Sequence, residues 1–193
     1  MINENQMEQI KNFAIELDWN LAFGGKSKGN RHLFRIVKIT KELAISYVVE
    51  KSILEAGAWL HDTNLEKTIV GSTLENKDKV INFFEEINVL KEDQKKILHC
   101  IESHDGRILA KTTEAKIVHD ADTLEKMGSL GIIRETWKRS QLGWCTEQII
   151  EHLKTHLSKR EGKLYLFESK ERAKELNANL KQFFEIVEIQ LNE

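Results

Sequence analysis

The residues of this chain best suited to chemistry are its seven histidines, at 32, 61, 99, 104, 119, 152 and 156, and the carboxylates near them. Imidazole nitrogens and carboxylate oxygens together form a mixed N/O ligand set for Mn, Fe, Co, Ni or Zn. The stretch Gly57-Ala58-Trp59-Leu60-His61-Asp62 sets one of each side by side, at the end of an apolar run that includes Ile53, Leu54 and Ala56. Such a run belongs in a core, so its end should present His61 and Asp62 to an interior point.

Helical geometry sorts the other histidines, since successive residues point about 100° apart. His32 heads the stripe Ile36, Ile39, Leu43 and should face inward. Ile97, Ile101 and His104 form another inward stripe, whereas His99 falls roughly 160° from Ile101 and is expected to face solvent. In the segment after Thr113, Ala115, Val118 and Asp122 share one face and Ile117, Ala121 and Leu124 another, so the helix should be buried on both sides. An aspartate there costs several kcal/mol unless it is paired or metal-bound. Asp122 is therefore a ligand candidate, with His119 as a partner behind it. His152 and His156 are spaced for zinc in "HLKTH", but no Glu follows the first, and their charged surroundings suggest a solvated face.

The elements that must position these groups are helical. Proline is absent and there are only 10 glycines, so little interrupts a helix. Apolar periodicity predicts helices over about 2–17, 31–43, 51–62, 75–88, 92–104, 113–127, 129–140, 146–160 and 169–191. Loops are expected at 24–30 and around 63–75. "KLYLFES", at 163–169, is the best β-like stretch and reads as an extended link. With 193 residues, 40% hydrophobic and 31% charged, one domain spanning 1–193 is expected. The net charge of −2 offers no bulk attraction to nucleic acid or to anionic membranes. No apolar run approaches the ~20 residues of a membrane span, and MINENQMEQIKN lacks the order of a signal peptide. A cytoplasmic protein with reduced thiols at Cys100 and Cys145 is the expectation.

Two apparent motifs fail. "FGGKSKGN" ends like a phosphate-binding loop, but Asn20 stands where that motif needs its first glycine. Lys26 and Lys28 could still attract an anionic substrate. Cys100 beside His99 is no nucleophile–base pair, since helical neighbours diverge; a buried thiol is the plainer reading.

The ordered set His32, His61-Asp62, Asp122 resembles the metal-binding signature of the HD-domain superfamily of metal-dependent phosphohydrolases. "RHLFRIV" is similar to its His-x-x-Arg-Val element, with Arg35 as the arginine, and "AGAWLHD" to its apolar run into His-Asp. "IESHDG" resembles the segment carrying an additional histidine, His104. "KIVHDADTLEKMGSLGIIR" resembles a subgroup's Asp-Ala-Asp-x-Leu…Gly-x-Gly-Ile-x-Arg signature, ending at Arg134. The resemblance covers about 25–140. It implies an all-α bundle with the metal at its centre, and helices over 141–193 packed around it. Relatives often carry Ile-Gly-Lys or a glutamate just after His-Asp; here Glu66 and Lys67 come one step later.

From these residues, one divalent metal is expected on His32, His61, Asp62 and Asp122, and a second if His104 joins. The expected reaction is hydrolysis of a phosphate mono- or diester, with a nucleotide as substrate class. Asp62 lies at the reacting centre, Arg35 and Arg134 offset charge on phosphoryl oxygens, and Glu66 is the candidate base. The principal alternative is a regulatory module that binds metal and nucleotide without turnover. A di-iron oxygenase would need a fuller histidine set than one in which His99 points away.

Overall fold

The computed structural model is all-α. It describes residues 1–64, 74–157 and 159–192, and among these there are nine α-helices and no strand. In order they are α1 (Glu4–Leu21), α2 (His32–Leu43), α3 (Lys51–Leu60), α4 (Leu74–Glu86), α5 (Lys91–Ser103), α6 (Thr113–Glu125), α7 (Gly128–Gln141), α8 (Thr146–His156) and α9 (Phe167–Leu191). None is long and apolar enough to cross a membrane. Most of the loop expected around 63–75, with Glu66, Lys67 and Gly71, lies outside the described residues.

Local chemistry sets the helix starts. Asn3 Oδ1 accepts from the Gln6 amide and Gln6 Oε1 accepts from the Asn3 amide, both at 2.9 Å, which closes a capping box on α1. Thr112 Oγ1 accepts from the Ala115 amide at 3.1 Å and opens α6. Of the 163–169 stretch, Lys163 ends a short 3-10 turn (Glu161–Lys163), residues 164–166 form the link, and Phe167 already opens α9. The helix expected to run through Asp62 instead tightens after Leu60 into a 3-10 turn over His61–Asn64.

The chain forms two compact units, Met1–Ala121 and Asp122–Glu193, and the division falls within the unbroken α6. In the first, α3 is the central rod and packs against α1, α2 and α5. Seven of its residues are buried, among them the small trio Ala56, Gly57 and Ala58. A Cβ on Gly57 would lie 2.7 Å from Cys100 Cβ and 3.1 Å from its Sγ, so the absence of a side chain sets how closely α3 and α5 approach. Burial pushes the Cys100 thiol up to about 12, with Glu114 adding to the effect.

In the second unit α7 packs against α8 and α9. Its apolar centre is Ile149, Leu153, Leu157 and Leu180, with Ile132 and Phe184 against it. Glu135 is among the carboxylates drawn inside. Glu135 on α7 accepts from Arg139 Nε and from His152 Nε2, each at 2.9 Å, and Arg160 lies 3.6 Å away. His152 is therefore not on a solvated face as its sequence surroundings suggested. Its side chain is 11% exposed, drawn inward by the buried carboxylate, while His156 remains exposed. Burial alone would raise the Glu135 pKa, but His152, Arg139, Lys138 and Arg160 together bring it down to about 2.

Two outcomes are expected. Gly57→Ala should destabilise the protein by about 1–3 kcal/mol, because overpacking against a backbone-anchored Cβ outweighs the ~1 kcal/mol gain in helix propensity; denaturant titration measures it. Glu135 has a folded pKa below its ordinary value, so its contribution to stability is complete above about 4.5 and is lost as pH falls toward about 2. Glu135→Gln should cost about 1–3 kcal/mol at neutral pH, a gap that closes across that acidic range in pH-dependent unfolding.

Candidate metal centre

Four of the expected groups meet within the first unit, each brought there by a helix terminus. His32 is the first residue of α2, and its amide donates to Asn30 Oδ1 at 3.1 Å. His61 follows the last residue of α3, and His104 follows the last residue of α5. At both of these ends the imidazole turns back on its own helix. His61 Nδ1 bonds to the Ala58 carbonyl at 2.8 Å, and His104 Nδ1 to the Ile101 carbonyl at 2.6 Å. A carbonyl oxygen can only accept, so in each ring the proton sits on Nδ1 and Nε2 keeps its lone pair. Carbonyls left without helical partners at a C-terminus thus orient two potential ligands.

The Nε2 atoms gather around Asp62. His32 Nε2 lies 3.1 Å from Asp62 Oδ2 and 3.1 Å from His61 Nε2. His61 Nε2 is 3.6 Å from Asp62 Oδ2, and His104 Nε2 is 3.6 Å from Asp62 Oδ1. The His61 ring stands edge-on to its neighbours, at 71° to His32 and 76° to His104. All three histidines are buried, whereas the Asp62 side chain keeps 22% exposure, so solvent reaches the cluster at that carboxylate.

This donor set fits a divalent cation. Two ligands each about 2.1 Å from one cation lie roughly 3 Å apart when they subtend a right angle, close to the His32–His61 spacing of 3.1 Å. Within the first unit the ligand atoms of His32 and His61 thus stand as two neighbours on one cation would. Asp122 is buried on α6, one residue past the end of the first unit on an unbroken helix.

The remaining candidates are placed as follows. Arg35 is half-buried on α2, one turn beyond His32. Arg134 pairs with the buried Glu125. Glu66 lies outside the described residues. His99 is half-buried rather than turned to solvent, because its Nε2 accepts from the Lys111 amide at 2.9 Å and ties down the segment after α5. His119 is buried, and its Nδ1 meets Asp120 Oδ1 at 3.0 Å. Sequence reasoning missed Lys126, whose ammonium contacts Asp122 Oδ2. The i,i+4 spacing of the two was the available signal.

A helical bundle whose helix ends converge as histidines on an aspartate defines a class of protein, and the sequence agrees. The HD domain family profile matches residues 30–127, just over half of the 193 residues, and the chain belongs to that family. Among curated proteins none matches it. Solved structures share the fold over nearly their whole length. A Lactobacillus plantarum protein is 23% identical, with a TM-score of 0.82, over 100% of this chain and 99% of its own. Bacillus subtilis YpgQ, solved in complex with ADP, is 19% identical, with a TM-score of 0.74, over 96% and 95%. An HD-superfamily hydrolase from Bacillus thuringiensis is 23% identical, with a TM-score of 0.75, over 98% of each chain.

The imidazole geometry has a direct spectroscopic consequence. Long-range nitrogen–proton correlation spectra of metal-free protein should show His61 and His104 as Nδ1-protonated tautomers. Nε2 protonation in either would remove its lone pair from the centre.

Proposed function

We propose that this chain hydrolyses a phosphate mono- or diester, with a nucleotide as substrate, at one or two divalent metal ions held by His32, His61, Asp62, His104 and Asp122. The observation that carries this reading is the convergence of three buried imidazoles on Asp62, two of them locked with Nε2 as the donor atom. A divalent ion from the set Mn, Fe, Co, Ni or Zn, when bound, lowers the pKa of water toward about 7 and polarises a phosphoryl oxygen. Membership of the HD family supports the reaction class. The ADP complex of YpgQ supports a nucleotide as substrate.

The chain's own residues divide the remaining work. The partial exposure of Asp62 makes it the edge at which substrate arrives. His61 and His104 are held against rotation by the carbonyls behind them, so the centre is preorganised before substrate binds. Arg35 shares the His32 side of α2 at i,i+3 and is assigned to the non-bridging phosphoryl oxygens. Arg134, engaged by Glu125, braces the start of α7 against the end of α6. Glu66 is retained as the candidate base.

The test is a panel of nucleotide mono- and diesters with added Mn or Co, beside elemental analysis of protein purified without chelators. Wild type should carry at least one equivalent of metal and show metal-dependent hydrolysis. Asp62→Ala should lose both. Full metal content in Asp62→Ala overturns the assigned centre. Metal retention with no turnover, but a nucleotide-induced rise in melting temperature, identifies a non-catalytic binding module instead.

A further inference from the structure

We propose that Lys126 is a displaceable counter-ion of the metal centre: its ammonium competes with the divalent cation for Asp122, and once displaced takes a non-bridging oxygen of the bound phosphate. The inference rests on the reading of Asp122 as a ligand. Its starting point is the contact between Lys126 Nζ and Asp122 Oδ2, one helical turn apart. The aspartate is buried, whereas the lysine side chain keeps 26% exposure. One partner is therefore fixed and the other has room to swing on a flexible four-carbon stem.

The backbone of Lys126 is held much more firmly than that of an ordinary surface lysine. Arg160 Nη1 donates to its carbonyl oxygen at 3.1 Å. Gly131 packs against the same oxygen so closely that a Cβ there would lie 2.2 Å away. Gly128, at φ +63°, turns the chain immediately afterwards, where a Cβ would meet Leu176 Cδ2 at 2.8 Å. Three independent restraints fix the base of a side chain whose tip is partly exposed.

Charge accounting singles out this lysine. Arg134 faces Glu125, and Arg160 pairs with Glu135 while feeling Asp122 more weakly, without an ion-pair contact to it. Lys126 faces Asp122, the carboxylate that a metal would claim. A divalent ion on Asp122 weakens the pull on Lys126 and adds repulsion between like charges. The ammonium is a compact charge with three rotatable donors, suited to a phosphoryl oxygen arriving at the same place. Lys126 should accordingly lower affinity for metal alone and raise affinity for phosphate on the metal-loaded protein, which favours loading both together.

Lys126→Met removes the charge and keeps most of the stem. Titration calorimetry would measure Mn binding to the metal-free full chain, then inorganic phosphate binding to the Mn-loaded chain. The variant should bind Mn about fivefold more tightly and phosphate about fivefold more weakly, the scale of a partly exposed ion pair. Lys126→Arg, which keeps the charge, should not bind Mn more tightly than wild type. A folded Lys126→Met with unchanged or weaker Mn affinity overturns the proposal, as does unchanged phosphate affinity. Should that variant not fold, Lys126→Gln is read the same way; if neither folds, the lysine is structural and the proposal fails. Absence of Mn binding by wild type, or its retention by Asp62→Ala, instead overturns the metal reading on which the proposal stands.

Discussion

An ionised carboxylate that has lost most of its water must be repaid by donors or by a cation, and the arrangement around Asp62 follows from that constraint. Three imidazoles approach it within 3.1 to 3.6 Å. Two of them have spent their only proton on a backbone carbonyl, so they face the carboxylate with lone pairs rather than with N–H groups. Electron-rich nitrogens and an anion crowd one another unless positive charge lies among them. The protein accepts this local conflict because the rest of the first unit is a close-packed helical frame, whose rod α3 ends at the site.

Orientation is obtained from the ends of helices rather than from their middles. A helix C-terminus has carbonyls to spare, and each of α3 and α5 uses one of them to fix the imidazole that follows it. The same economy ends α3 itself: Thr63 Oγ1 donates to the Leu60 carbonyl at 2.6 Å, beside the turn that carries His61 and Asp62. Helix ends and site are thus one construction, and a substitution that frayed either helix would loosen a ligand without touching it.

Much of this was legible in the sequence because burial has a period. The stripe of Ile36, Ile39 and Leu43 placed His32 inward, that of Ile97 and Ile101 placed His104, and the absence of proline announced an all-α chain. Periodicity records direction and carries no information about partners, and the misreadings follow from this. His152 was judged by the charges around it, although a carboxylate seventeen positions earlier draws it inside. His99 was assigned to water, although the Lys111 amide returns to cap it. The 3-10 tightening at His61 and the contact between Asp122 and Lys126 depend on backbone detail within a single turn.

The glycine that lets α3 and α5 touch also affects what an oxidant would encounter. Cys100 is sealed beneath that contact, and its thiol stays protonated far above neutrality; a protonated, inaccessible sulfur is a poor target for peroxide or for mixed-disulfide exchange. Cys145, which precedes α8, is exposed. Thiol oxidation would therefore register in the second unit first, leaving the unit that carries His32, His61 and His104 insulated from it.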